Sequence, residues 1–352
     1  MKLSIERSIL LKAVSQAQSV VERRNTIPIL ANVLIEAETD YVQFRATDLD
    51  IEVLDKVPAQ VDRAGSTTVS AITLHDIVRK LPDGALVTLF DDASKSRLSV
   101  EAGRSVFSLA TLPKEDFPVM ASSEYEANFS APAPLLRRLF DKSKFAISTE
   151  ETRYYLNGVY LHVADADSGK VIRCVATDGH RLARVDAELP EGAADLPGVI
   201  VPRKTVGELR KLLDEDNAQI AVSISETKIR FATPETTLTS KVIDGTFPDY
   251  KRVIPKDNTN ILYVNRNNLL SAVDRVSTIA NDKSPVIKFK LLKDIINLNT
   301  VNNENSTATE DLNLKYDGDE FEIGFNSKYI MDVVNNLEDE MITLNLKDGS
   351  SP

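Results

Sequence analysis

"LSIERSILLKAVSQAQSVV" at residues 3–21, "ANFSAPAPLLRRLFDKSKFAI" at 127–147 and "LYVNRNNLLSAVDRVSTIA" at 262–280 are three versions of one plan. Each pairs a short strand of alternating polarity with a helix whose apolar residues recur at i, i+3, i+4 and i+7. Strand-like alternation follows each time, as VLIEAETDYVQFRATDLDIEV, GVYLHVADADSGKVIRCVATDGHRLARV and VIKFKLLKDIINLNTV. A second strand-plus-helix unit then recurs as TVSAITLHDIVRKL, VIVPRKTVGELRKLL and IGFNSKYIMDVVNNL. The matching helix ends Leu81, Leu213 and Leu337 stand 132 and 124 residues apart, about one domain each. The pattern predicts an α+β protein of three similar domains over 1–120, 127–250 and 260–352, each with two helices packed on antiparallel sheet. A chance succession of amphipathic helices is the alternative. Stretches rich in Pro and charge at 112–126 and 244–258 are the expected linkers.

The third copy ends about one hairpin earlier than the other two. It is also richer in asparagine, with 16 from residue 251 onward against 5 before it. Drift in coding-base usage and a chimeric origin both account for that shift.

Composition narrows the function classes. No apolar run approaches the length of a membrane span, and the N-terminus MKLSIERSILLKAV has neither the apolar core nor the cleavage site of a signal peptide, so a cytoplasmic protein is expected. One cysteine, Cys174, and three scattered histidines, His75, His162 and His180, offer no internal disulfide and no metal-ligand spacing. No metal and no cofactor are expected. A net charge of −11 argues against a protein coated in positive charge. The expected helices at 135–145 and 203–213 nevertheless carry Arg137, Arg138, Lys142, Lys144, Arg203, Lys204, Arg210 and Lys211 against only Asp141 and Glu208. Arg23, Arg24, Arg79 and Lys80 follow suit in the first copy. Their apolar faces must lie on sheet, which turns the basic sides to solvent and suits a polyanion held without sequence reading. The plainer alternative is that these cations solvate helix faces.

The run ATDGHRLARV at 176–185 aligns with ATDLDIEV at 46–53. The shared Thr-Asp is turn chemistry, which makes Asp178 structural, while His180 and Arg181 belong to the second copy alone. Nucleophilic catalysis lacks a G-x-S-x-G, and P-loop, H-E-x-x-H and G-x-G-x-x-G patterns are also absent from the sequence. Cys174 reads as a core thiol, and Asp91 with Asp92 as a solvated hairpin turn.

TIPILANVLIEA, RYYLNGVYLH, ATDGHRLA, VIVPRK, DGTFPDYKRVIP and EIGFNSKYIMDVVN occur in the order of one family. Through them the chain resembles the bacterial sliding clamps, the beta subunits of DNA polymerase III, over essentially its whole length. The resemblance implies a subunit forming half of a ring and a head-to-tail homodimer, with twelve helices lining the hole and sheets forming the wall. Such a ring would encircle double-stranded DNA without reading its sequence and would tether polymerase without catalysis. A ring held by topology needs only a weakly attractive lining, which reconciles basic helices with an acidic whole.

Residue by residue, the resemblance implies DNA contacts at Arg24, Tyr154 and Tyr155, with Arg203 and Lys204 as helpers; strand packing is the alternative for the two tyrosines. It implies a partner-peptide pocket from Leu156, Thr177, Gly179, His180, Arg181, Leu182, Pro248, Arg252 and Val253, with Asn326 and Tyr329 of the third domain. Leu156, Leu182, Pro248 and Val253 would bury apolar peptide side chains, and Arg181, Arg252 and His180 would orient its backbone or a carboxylate. Partners would be the DNA polymerase III alpha subunit, the clamp loader, other polymerases and repair proteins, through linear peptides, with no membrane involved. Dimer contacts would set Arg104, Phe107 and Leu109 against Thr278 and Ile279, beside acidic residues thinned to Glu304, Glu310 and Asp311. The family continues past the position of Pro352 into a final strand and a Met-Pro-Met-Arg-like tail that helps form the pocket. Two further hypotheses remain open: a peptide-binding scaffold that never surrounds DNA, and an enzyme using His180.

Overall fold

A computed structural model of the chain describes all residues except 23–25, 122–123, 168, 215–217, 281–284 and 352, and the side chain of Ala93. The first copy runs β1 (Lys2–Glu6), α1 (Arg7–Val20), β2 (Asn32–Ala37), β3 (Tyr41–Thr47), β4 (Ile51–Pro58), β5 (Gln60–Arg63), β6 (Gly65–Ser70), α2 (Ala71–Lys80), β7 (Leu86–Asp92), β8 (Arg97–Ala102) and β9 (Ser105–Leu112). The second runs β10 (Ala127–Pro132), α3 (Ala133–Asp141), β11 (Gly158–Ala166), β12 (Gly169–Thr177), β13 (Leu182–Glu188), β14 (Val199–Pro202), α4 (Arg203–Leu212), β15 (Gln219–Ile224), β16 (Lys228–Ala232) and β17 (Thr236–Lys241). The third runs β18 (Asn260–Asn265), α5 (Arg266–Ser277), β19 (Val286–Leu292), β20 (Ile295–Val301), β21 (Thr307–Asn313), β22 (Phe321–Asn326), α6 (Ser327–Asn336) and β23 (Met341–Leu346). Every copy thus repeats strand, helix, strands, helix and strand.

The chain divides into two compact units, Met1–Asp178 with Arg184–Gly245, and Gly179–Ala183 with Thr246–Pro352. In the first unit a thirteen-stranded sheet runs β10-β15-β16-β17-β4-β3-β2-β6-β9-β8-β7-β1-β5, and a second sheet runs β13-β12-β11-β14. The first and second copies share the larger sheet because β17 pairs antiparallel with β4, from Thr236 opposite Asp55 to Ser240 opposite Ile51. In the second unit β18 pairs with β23, and a four-stranded sheet runs β21-β20-β19-β22.

Periodicity explains the helices. On α1 the buried positions are Leu10, Ala13, Val14, Ala17 and Val20, one stripe of a 3.6-residue repeat, and each large aliphatic side chain taken from water is worth about 1.5–3 kcal/mol. Glu6 caps its start by accepting the Ser8 N–H at 3.1 Å. The expected helix over 135–145 is shorter, ending at Asp141, and Lys144–Ala146 continue as 3₁₀ helix. The Ser143 hydroxyl donates to Leu139 O at 2.8 Å, and such local side-chain bonds compete with the helical ladder.

The third copy's core gathers Leu262, Leu269, Val273, Phe289, Leu298 and Tyr316. Its asparagines do terminal and turn work: Asn265 and Asn326 cap α5 and α6, and Asn302 Oδ1 accepts from Glu304 N and Ser306 N in the β20–β21 bend. Asp91 departs from the solvated-turn expectation. The alternation of β7 places it on the face of Val87 and Leu89, and it is buried.

Candidate functional site

The bend after β12 decides the chemistry around His180. Gly179 holds φ +88°, a conformation that costs glycine little and other residues more. The turn it makes delivers His180 and Arg181 to α6 within the second unit. The His180 ring stacks on Tyr329 at 6.1 Å and 25°, and the Arg181 guanidinium lies 4.5 Å from the same ring centre. Arg181 Nη1 also pairs with Asp332 Oδ2. Tyr329 and Asp332 are three residues apart on α6, and so share a face. Asp332 escaped sequence reading, although that i, i+3 spacing was its available signal.

This geometry reassigns Arg181. Expected to orient a peptide, it is instead held by a carboxylate and an aromatic ring, and it fastens the bend to α6. The cation that faces water is Arg252, whose side chain is 84% exposed and whose Nε meets Asp249 Oδ2 at 2.9 Å. It lies on a short 3₁₀ turn, Tyr250–Arg252, launched from Pro248, whose carbonyl accepts the Tyr250 N–H at 2.7 Å. Pro248 and Val253 are exposed beside it. Asn326 is occupied in capping, accepting the Lys328 N–H at 3.0 Å. Leu182 is half-buried. Leu156 and Thr177 belong to the first unit, where Leu156 is buried, so it offers little surface to a ligand.

The bend of the first copy makes an equivalent contact within the first unit. Asp48 Oδ1 accepts from Asp50 N at 2.9 Å and Ile51 N at 2.8 Å, the turn role expected of that residue type. Its other oxygen takes Lys204 Nζ at 2.5 Å, at the start of α4. In both copies, therefore, the bend docks on the second helix of the next copy, with the signs exchanged: acid on the first bend and base on its helix, base on the second bend and acid on its helix.

That pairing revises the basic stripe. Lys204 also donates to Val20 O at 2.8 Å, so it joins two copies and is largely withdrawn from a nucleic acid. Arg137 donates to Leu213 O, and Arg138 to Asp186 O at 2.9 Å. Arg210 Nε meets Asp141 Oδ2 at 3.0 Å, Lys144 meets Asp141 at 2.5 Å and Lys211 meets Glu208 at 2.6 Å. Arg203 is exposed and has no ion-pair partner among the described residues. Its N–H donates to Asn157 O at 3.0 Å, which sets it beside the 3₁₀ helix Glu151–Leu156. Tyr154 and Tyr155 sit on that helix and not on a strand; their rings meet edge to face at 5.8 Å, and Tyr154 is 55% exposed. The Arg203–Asn157 backbone bond sets Arg203 beside the segment that carries Tyr154 and Tyr155. Arg24 lies outside the described residues, as does Arg23.

Two strand edges complete the inventory, one in each unit. On β9 the segment from Ser105 to Ala110 pairs with β8, while β6 pairs only with Thr111 and Leu112. Phe107 and Leu109 are half-buried, Arg104 is exposed, and Val106, which sequence reading passed over, is 66% exposed. In the second unit β21 ends its sheet, Arg275 of α5 pairs with Glu310 of β21 through Nε and Oε2 at 3.0 Å, and Thr278 and Ile279 follow the helix end. Unpaired edges are templates for another chain.

Catalysis gains nothing from Cys174, which is fully buried on β12 with its thiol pushed well above its ordinary range by burial and by Asp186. Nearby, Arg173 grips Asp186 in a bidentate pair at 2.6 and 2.7 Å. Burial pushes Asp186 up, but Arg173, Arg184 and His162 together outweigh it and hold the carboxyl below its usual range.

Comparison with known proteins covers the chain end to end. The N-terminal, central and C-terminal domain patterns of the DNA polymerase III beta subunit match residues 1–121, 131–249 and 251–352. The beta sliding clamp of Caulobacter vibrioides is 49% identical over 352 residues, which is 100% of this chain and 95% of that protein. The Pseudomonas aeruginosa beta sliding clamp is 38% identical, over 100% of this chain and 94% of its own. A crystal structure of the Bartonella birtlesii sliding clamp bound to griselimycin superposes with a TM-score of 0.96 at 46% identity, covering 100% of this chain and 94% of that one.

Proposed function

The chain belongs to the DNA polymerase III beta-subunit family, the bacterial sliding clamps, and is a processivity factor of DNA replication; from that premise we propose how its own residues do the work. Two copies close head to tail around duplex DNA, which slides through while the ring tethers the polymerase. No bond is made or broken. Retention comes from topology, so the lining needs only weak attraction, and strong phosphate contacts would act as a brake.

The observation that carries this reading is the threefold use of one plan, with the bend of one copy seated on the second helix of the next. Applied to the third copy, the same rule directs the bend at Asn302–Ser306, with Glu304, toward α2 of another protomer, where His75 and Arg79 stand. The open edges of β9 and β21 then pair across the junction through Phe107, Leu109 and Val106, with Thr278 and Ile279 alongside. Arg203, Tyr154, Tyr155 and Arg24 touch the sugar–phosphate backbone.

Partner peptides, from the polymerase alpha subunit, the clamp loader and repair proteins, dock beside the bend at 179–182. Pro248, Val253 and Leu182 take their apolar side chains and Arg252 a carboxylate. The protein works in the cytoplasm; among the described residues no helix is long and apolar enough to cross a membrane. Loading onto nicked circular DNA followed by linearisation tests the ring: release on linearisation is expected, and equal retention on both forms would leave only a peptide scaffold.

A further inference from the structure

We propose that the buried Asp91 carboxylate, with the hydroxyls of Thr67 and Thr111, forms a receptor for a primary alkylammonium group, carried by a short free amine or by a lysine side chain. The strand registers place the three side chains on one face. Asp91 of β7 stands opposite Leu98 of β8, and Leu98 opposite Leu109 of β9. Thr111 follows two residues after Leu109 and stands opposite Val69 of β6, with Thr67 two residues before that valine. Directly opposed residues share a face, as do next-but-one residues along a strand, so Asp91, Thr111 and Thr67 project to the same side. They line a pocket of about 270 Å³ where β6 and β9 meet. Asp91 is 8% exposed and Thr67 5%, yet neither side chain has a hydrogen-bond or ion-pair partner among the described residues. Burying a carboxylate unpaired is costly, and a cation seated on it removes that cost.

The protein's own cations nearby are directed elsewhere. Arg63 Nη2 donates to the main-chain oxygens of Met1 at 3.5 Å and Asp91 at 3.3 Å, and its guanidinium lies over the Phe90 ring. Lys95 pairs with Asp92 at 3.0 Å. The Met1 α-amine acts on Asp91 through space, but burial and Arg63 hold that amine below its ordinary value against the carboxylate's pull. Lys114 is exposed at the mouth, where Glu115 beside it offsets its charge.

The lining selects the ligand. An ammonium carries three N–H donors, and Asp91, Thr67 and Thr111 offer it one anionic and two hydroxyl acceptors. Leu112 and Pro113 give its methylenes an apolar wall. The carboxylate refuses an anion. A metal ion would find no cluster of three acidic, histidine or cysteine ligands among the described residues.

The test titrates the full chain with 1,4-diaminobutane and, separately, with Nα-acetyl-lysine methylamide, followed by NMR. Saturable shifts centred on Thr67, Asp91 and Thr111 are expected, and the tighter of the two amines identifies the source. 1,4-Butanediol, of similar length but uncharged, should bind about tenfold more weakly than the diamine, and Asp91→Asn should weaken the amine about tenfold. No binding of either amine, shifts scattered over the acidic surface, equal binding of the diol, or unchanged affinity in Asp91→Asn overturns the receptor. Should Asp91→Asn fail to fold, Thr111→Val decides: amine binding about threefold weaker is expected, and unchanged affinity overturns it.

Discussion

Lys204 Nζ lies 2.5 Å from Asp48 Oδ2, joining α4 of the second copy to the bend that ends β3 of the first. The lysine is 38% exposed and the aspartate 7%, so the pair is neither a free surface bridge nor a fully buried one. Lys204→Met should therefore destabilise the protein by about 1–2 kcal/mol, read by denaturant unfolding, while changing DNA affinity little. A large loss of DNA binding with unchanged stability would return Lys204 to the DNA surface.

Arg203→Ala should behave in the opposite way. Its guanidinium has no ion-pair partner among the described residues, so unfolding should move by less than about 0.5 kcal/mol. The slope of log affinity against log salt for duplex DNA should fall by about 0.9, one phosphate contact. An unchanged slope would take Arg203 out of the lining.

Arg252 and Arg181 should separate peptide binding from stability. Arg252→Ala is expected to weaken a clamp-binding peptide about tenfold, equivalent to about 1.4 kcal/mol, with no shift in melting temperature. Arg181→Met should lower the melting temperature as well, because it strands Asp332 and uncovers Tyr329. Calorimetric titration beside thermal unfolding distinguishes the two. Identical profiles would show that Arg181 is no anchor.

Acid should act on the Arg173–Asp186 pair. Asp186 is held below its usual value in the fold, so its contribution is present above an unfolded value of about 4 and is lost as pH falls through the depressed folded value. Arg173→Leu leaves that carboxylate without its bidentate partner and should cost about 2–4 kcal/mol at pH 7, with a smaller loss at pH 3. Unfolding measured at both values checks it; an equal loss at each pH would mean that packing, not charge, is what Arg173 supplies.

Phe107→Arg should break the dimer. If the proposed β9–β21 junction forms, a charged side chain on the β9 edge faces desolvation there, so sedimentation at micromolar concentration should show dimer for the wild type and monomer for the variant. Peptide binding should persist. A dimer that survives the change would move the interface elsewhere.

Much of the architecture was legible because it depends on neighbours along the chain. The stripe Leu10, Ala13, Val14, Ala17 and Val20 is a local 3.6-residue pattern, and finding it three times revealed the repeat. Asp48 was readable as a turn residue, since the hydrogen bonds to its Oδ1 come from only two and three residues ahead. The helix beyond Asp141 was misjudged: the apolar spacing continues, but the chain passes into the 3₁₀ turn Lys144–Ala146. Asp91 was misjudged because adjacent acids suggest a turn, while strand alternation put this one inside.

The sequence alone determined the threefold plan and the α+β class, because strand and helix periods and turn residues act over a few positions, while the motifs in family order carried the resemblance. Tertiary structure alone decided what each charge is for. Lys204 and Asp48 are 156 residues apart, and Arg181 and Asp332 are 151 apart. An electrostatic partner is chosen by distance in space, and no pattern along the chain records which cations folding has paired and which, like Arg203, it leaves exposed.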